Sequence, residues 1–155
     1  MKYYILIVLL IILYSCSTST VYSKYYYFEK EEWAASDTAK FDIHIIDTTS
    51  LNDINVKIRH GELYPFSNLY VFLTTEYPNH TTKTDTLECI LADSKGKWHG
   101  SGLGDMYDLT LPLKRNIRFA KSGKYKFYFV QAMRINPLPN ISEFGFEIIR
   151  TSKNK

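Results

Sequence analysis

From residue 40 onward, apolar and polar positions alternate in short stretches, the period-two pattern of strands half-buried in a sheet. Phe41, Ile43 and Ile45 alternate with Lys40, Asp42 and His44, and Ile54, Val56 and Ile58 alternate with Asn55, Lys57 and Arg59. Residues 69–77 are apolar on both sides at first and then alternate, which predicts a central strand covered on both faces. Residues 84–91, 117–119, 125–132 and 144–149 complete the set. The connections read Asp47-Thr48-Thr49-Ser50, Tyr77-Pro78-Asn79-His80, Asp93-Ser94-Lys95-Gly96-Lys97 and Lys121-Ser122-Gly123-Lys124, which is turn chemistry. Roughly seven to nine such strands, with no amphipathic helix between them, predict an all-β fold. The expected architecture is an antiparallel two-sheet β-sandwich. A jelly-roll-like order is preferred over an immunoglobulin-like one, and the periodicity itself satisfies both.

The pattern changes at the N-terminus. After Met1-Lys2 the chain is almost wholly apolar to Leu13 and then reads Leu13-Tyr14-Ser15-Cys16. A basic start, an apolar core and a small residue before a cysteine make a secretory signal ending in a bacterial lipobox. The apolar run is shorter than the ~20 residues that a membrane-crossing helix needs. Cys16 is therefore the expected lipid attachment site, its acyl (palmitate-type) chains anchoring the protein at ~0.8 kcal/mol per buried methylene. The organisation that follows is a signal peptide at 1–15, a lipidated tether at 16–23, a β-sandwich domain at 24–151 and a polar tail at 152–155.

Charge and cysteine usage narrow the function. Removing the leader removes Lys2, so a formal charge of +3 becomes +2, with the basic residues scattered. A nucleic-acid reader would show a clustered basic face, so no nucleic acid is expected as a partner. If Cys16 is acylated, Cys89 has no intrachain partner. It lies on the same strand face as Leu87 and Leu91 and reads as a small core residue.

The densest chemistry lies between Asp93 and Asp108, where Gly96, Gly100, Gly102 and Gly104 fall close together. Gly100-x-Gly102-x-Gly104 lacks the strand-to-helix setting and the Lys-Ser/Thr of a phosphate loop. Asp93, Asp105 and Asp108 match no EF-hand spacing, and no metal or other cofactor is expected. Trp98 and Tyr107 admit two readings: a platform that stacks on a sugar ring, or side chains that pin a rigid loop to the sandwich. Arg134, at the end of an apolar strand, is expected to clamp Asp105 or Asp108, or else to face a partner. The four histidines share no ligand spacing, and Gly100-Ser101-Gly102 is not a nucleophile elbow. Asp85 and Glu88 fall on opposite sides of one strand. None of these arrangements supports an enzyme. The candidate cluster for structure or docking is Trp98, Gly100, Gly102, Gly104, Asp105, Tyr107, Asp108 and Arg134.

Several blocks resemble the GldH-type gliding-motility lipoproteins of the Bacteroidota. They are the lipobox at Cys16, Tyr64-Pro65-Phe66-Ser67-Asn68-Leu69, Asp85-Thr86-Leu87-Glu88, the stretch from Gly96 to Asp108, Gly123-Lys124-Tyr125, Gln131-Ala132-Met133-Arg134 and Phe144-Gly145-Phe146. The resemblance covers nearly all of the mature chain. It implies an outer-membrane-associated lipoprotein needed for gliding, a process tied to type IX secretion, with a protein partner in the envelope and no enzyme activity. Where the family pattern often has glycine, this chain has Asn140, a residue that also tolerates positive φ. In that phylum an acidic run after the cysteine commonly directs export to the cell surface. Ser17-Thr18-Ser19-Thr20 is neutral, which favours the periplasmic face of the outer membrane. A carbohydrate-binding envelope lipoprotein using Trp98 and Tyr107 is the alternative.

Overall fold

The computed structural model describes residues 19–151; Cys16, the leader and the tail at 152–155 lie outside the described residues. In chain order the elements are β1 (Thr20–Tyr27), a 3-10 turn (Glu29–Glu31), β2 (Glu32–Trp33), β3 (Ala39–Ile45), β4 (Asn52–Gly61), β5 (Asn68–Glu76) and β6 (Thr82–Ile90). They continue with β7 (Ser101–Leu103), β8 (Met106–Ile117), β9 (Gly123–Gln131), β10 (Leu138–Pro139) and β11 (Ile141–Arg150). One sheet has the order β1-β11-β4-β8-β7, the other β3-β9-β5-β6, and β2 pairs with β10 in a short ribbon. Every pairing is antiparallel. With the short β2, β7 and β10 set aside, the long strands counted along the chain run first, eighth, third, sixth in one sheet and second, seventh, fourth, fifth in the other. That is the jelly-roll order, in which consecutive strands alternate between the layers except the fourth and fifth, which pair within one.

The alternation places one face of each sheet in a shared core. Phe41 on β3 and Phe127 and Phe129 on β9 meet Phe144 and Phe146 on β11 from the opposite sheet, with ring centroids 4.6 to 5.5 Å apart. Ile54, Val56 and Ile58 fill the same layer from β4. One end is closed by Trp33, which stacks on Phe28 at 4.6 Å and tilts against Phe144 at 5.2 Å. Its indole N–H donates to the Asp37 carbonyl at 2.7 Å, which satisfies the polar edge of a fully buried ring. Cys89 is buried as expected, and burial, with the neighbouring Glu88 charge, pushes its thiol pKa up to about 12.

Three sequence expectations shift. First, β1 begins at Thr20, so residues 20–23, expected in the tether, pair with the end of β11. Tyr22 and Tyr26 carry that strand's packing, and no run of aliphatic residues marks it. Second, β5 is interior to its sheet, but only Leu69, Val71 and Leu73 are buried, while Tyr70 and Phe72 are exposed. A two-layer sandwich has no third layer to cover that face. Third, β8 starts at Met106, so Tyr107 and Asp108 belong to a strand rather than to the glycine loop, and the expected strand at 117–119 is the end of that element and the residues after it.

The register also fixes the two ends of the sandwich. Ser19, the loop 46–51, the turn 77–81, the loop 118–122 and Thr151 gather at one end, held by Arg150 N–H to Ser19 O at 2.6 Å and Thr151 N–H to Leu51 O at 2.9 Å. The segments 28–38, 62–67, 91–100, 104–105 and 132–140 gather at the other. β4 runs from one end to the other and spans about 33 Å.

Candidate functional site

The glycine-rich stretch lies at the end remote from Ser19, and its framework is backbone hydrogen bonding. The Asp93 carboxylate accepts the N–H groups of Lys95 at 2.8 Å and Lys97 at 2.9 Å, which closes a turn and lowers its pKa. The chain then returns: Ala92 pairs with Trp98, and His99 N–H donates to Leu91 O at 2.8 Å. Gly100 has φ +89°, and a methyl group there would collide with the Asp108 carbonyl; Gly102 lies equally tight against the Met106 carbonyl. Gly104 is at φ +71° in the two-residue turn from β7 to β8, with Asp105 beside it. Glycine first in such a turn suits a hairpin whose twist matches its strands. Asp105 works through its backbone, its carbonyl accepting Glu62 N–H at 2.7 Å.

His60, which belongs to no ligand spacing in the sequence, is the hub of this region. It continues the buried face of β4 in register after Ile54, Val56 and Ile58, and its exposure is 0%. Tyr107 stacks on it at 5.6 Å and 16°, Trp98 meets it edge-on at 4.6 Å, and Tyr64 lies at 5.8 Å. The Nδ1–H of His60 donates to the Gly61 carbonyl at 3.0 Å, since a carbonyl can only accept. That leaves Nε2 a buried lone pair without a partner among the described residues. Desolvation lowers the imidazole pKa, so the ring is neutral in the fold. Burial also raises the Tyr64 hydroxyl pKa, and that hydroxyl donates to Asn68 O at 2.9 Å.

The proposed clamp is not formed as expected. Arg134 is exposed in the loop after β9 and makes no ion pair among the described residues. Asp108 instead meets Arg59 of β4 at 3.5 Å, directly across the ladder, and Arg59 also holds Glu143 at 3.1 Å. Asp105 and Asp108 are both exposed. The Gln131 side chain ties the loop that carries Arg134 by accepting Met133 N–H at 2.8 Å and donating to Ile135 O at 3.1 Å. Asn140 does adopt positive φ, at 60°, and its side chain donates to Leu63 O at 3.3 Å.

Thus Trp98, Gly100, Gly102, Gly104, Asp105, Tyr107 and Asp108 come together, and Arg134, at the same end, pairs with neither aspartate. Trp98 and Tyr107 are half-buried, turned onto His60 and Tyr64. The outward features of this end are Leu103 at the hairpin tip, 93% exposed, and Leu63, 81% exposed. Glu62 and Asp105, joined through their backbones, lie beside these leucines in the chain.

The GldH lipoprotein family model matches residues 20–148. The chain is 35% identical over 124 residues to a gliding motility lipoprotein GldH homolog of Christiangramia forsetii, covering 76% of each chain. It is 32% identical over 123 residues to the gliding motility lipoprotein GldH of Flavobacterium johnsoniae, covering 75% of this chain and 76% of that protein. Among solved structures, TmCBM61 in complex with β-1,4-galactotriose aligns over 84% of this chain and 71% of that one, at 12% identity and a TM-score of 0.36. An arabinose-bound α-L-arabinofuranosidase aligns over 86% of this chain and 20% of that one, at 10% identity and a TM-score of 0.40.

Proposed function

This chain belongs to the GldH lipoprotein family, a family of gliding motility lipoproteins, and from that premise we propose that it is a non-enzymatic accessory subunit of the gliding-motility and type IX secretion-associated envelope machinery. Cys16 carries the lipid, the protein sits at the periplasmic face of the outer membrane, and the end bearing Leu63 and Leu103 docks an envelope protein. The supporting observation is the inward packing of Trp98 and Tyr107 on His60. A sugar platform needs a flat exposed ring, whereas here both rings help to hold the hairpin that presents Leu103 to solvent.

Two measurements test the reading. Cells producing Cys16→Ala should lose the protein from the membrane fraction, and the parent should carry acyl mass on Cys16. Deletion of the gene should impair surface spreading or export of type IX cargo, with recovery on restoring the parent. Unchanged spreading and export would sink the accessory role. So would specific glycan binding that Trp98→Ala abolishes without unfolding the domain.

A further inference from the structure

We propose that the sandwich end beside Ser19 is a second membrane contact, a basic face that rests on anionic lipid headgroups and orients the domain upright on its anchor. The inference rests on lipidation at Cys16 for its geometry. Between Cys16 and Ser19 the chain can span at most about 11 Å when fully extended. A lipidated Cys16 therefore holds this end about one Debye length from the headgroups, close enough for surface charges to act.

The charges at this end are not balanced. Asp42 pairs with Lys124 at 2.6 Å, Asp47 with Arg150 at 3.2 Å, Asp53 with Arg115 at 2.8 Å, Asp85 with Lys83 at 2.9 Å and Glu76 with Lys126 at 2.9 Å. Once those carboxylates are neutralised, Lys114, Arg118 and Lys121 remain, all exposed and in no ion pair among the described residues. Arg118 is fixed in place by donating from Nε to Thr49 O at 2.9 Å. The sequence continues past Thr151 with Lys153 and Lys155. At the opposite end the balance reverses: Glu29, Glu31, Glu32, Glu62 and Asp105, with Asp37, Glu88 and Asp93, stand outside any ion pair among the described residues and outnumber the unpaired Lys30, Lys40, Lys95, Lys97 and Arg134. The weak net charge of the whole chain thus conceals a polarity along its long axis, positive toward the anchor and negative away from it.

An apolar contact reinforces the same end. Ile46, 81% exposed, projects from the loop after β3, and Val21, also exposed, follows within the first residues of β1. A branched aliphatic side chain among basic groups suits the headgroup boundary, where apolar burial and attraction to anionic lipid act together. Basic residues near such a surface contribute roughly fivefold each in partitioning, so the three unpaired groups together are worth on the order of a hundredfold.

The test separates this face from the anchor. The mature chain with Cys16→Ser is mixed with phosphatidylethanolamine vesicles, with or without phosphatidylglycerol, and sedimented. Binding should require phosphatidylglycerol and weaken with salt. It should fall about a hundredfold or more in K114E/R118E/K121E. The double variant K114E/K121E, which leaves the Arg118 hydrogen bond intact, should fall at least tenfold with an unchanged unfolding midpoint, so misfolding cannot account for the loss. K95E/K97E at the far end should bind like the parent. No binding to anionic vesicles, equal binding to neutral ones, or an equal loss from the far-end variant overturns the proposal. It is also overturned if charge reversal abolishes envelope function while vesicle binding is unchanged, which assigns the face to a protein instead. Missing acyl mass on the native chain would remove the anchor but not the vesicle result, so the two readings fail separately.

Discussion

At the scale of single residues, His60 and Cys89 are two polar groups placed where an apolar side chain would be expected. Because the folded pKa of His60 lies below its ordinary value of about 6.5, the unfolded chain takes up a proton that the folded chain resists. Its contribution is therefore fully present above about pH 6.5 and is lost as pH falls through the folded value. His60→Phe should flatten the decline in unfolding midpoint between pH 7 and pH 5, and an unchanged slope would show that the imidazole does not set it. Cys89 should resist thiol reagents in the native protein and react on unfolding, since burial raises its pKa and closes access together. Cys89→Ser should cost about 1 to 3 kcal/mol, because a hydroxyl would enter the core with no assured partner. The role of Cys89 was legible from alternation, with Leu87 and Leu91 on the same face. His60 continues the alternation of β4 two residues beyond Ile58, but a lone histidine on an apolar face carries no motif that marks it as a hub. Arg59 was not legible: its partners Asp108 and Glu143 lie on two neighbouring strands, and only the register joins them.

At the scale of elements, the β7–β8 hairpin depends on two different glycine constraints, and substitution can separate them. Gly104 has open space around its missing side chain and a positive φ, so Gly104→Ala should cost about 1 kcal/mol of backbone strain. Gly100 has both positive φ and the Asp108 carbonyl against it, so Gly100→Ala must also push the loop off β8. It should cost roughly 2 to 3 kcal/mol, at the upper range for strained positions. Chemical denaturation of the two variants checks the order, and equal midpoints would mean that the loop is looser than its packing indicates. The glycines themselves marked this hairpin in the sequence. The start of β8 did not show, because Met106-Tyr107-Asp108 follows a turn without a clean alternation and acquires strand structure by pairing with the end of β4. β1 was hidden for a related reason: an edge strand with one neighbour needs only Tyr22 and Tyr26 inward, and aromatic residues among serine, threonine and lysine read like a tether. By contrast, β3, β4 and β9 bury alternate residues along most of their length, and their alternation was plain.

At the scale of the whole molecule, the residues that hold the fold differ from those of the proposed docking end, which makes the accessory role testable without unfolding the protein. Phe146 lies against Phe41, Phe127, Phe129 and Tyr22, so it joins both sheets and the edge strand. Phe146→Ala should cost about 3 to 5 kcal/mol, and any functional loss would follow from lower folded abundance. Leu63 and Leu103 bury almost nothing, so Leu63→Asp with Leu103→Asp should move stability by no more than about 0.5 kcal/mol. If that end docks a partner, the paired aspartates place new charges in the middle of the contact. Spreading or type IX export should then fail at normal abundance and with normal membrane attachment. The comparison to make is complementation of the deletion by the parent, by the leucine pair and by Phe146→Ala, each with its folded level measured. Full complementation by the leucine pair would move the docking surface elsewhere, and the exposed Tyr70 and Phe72 on the outer face of β5 would be the next place to look.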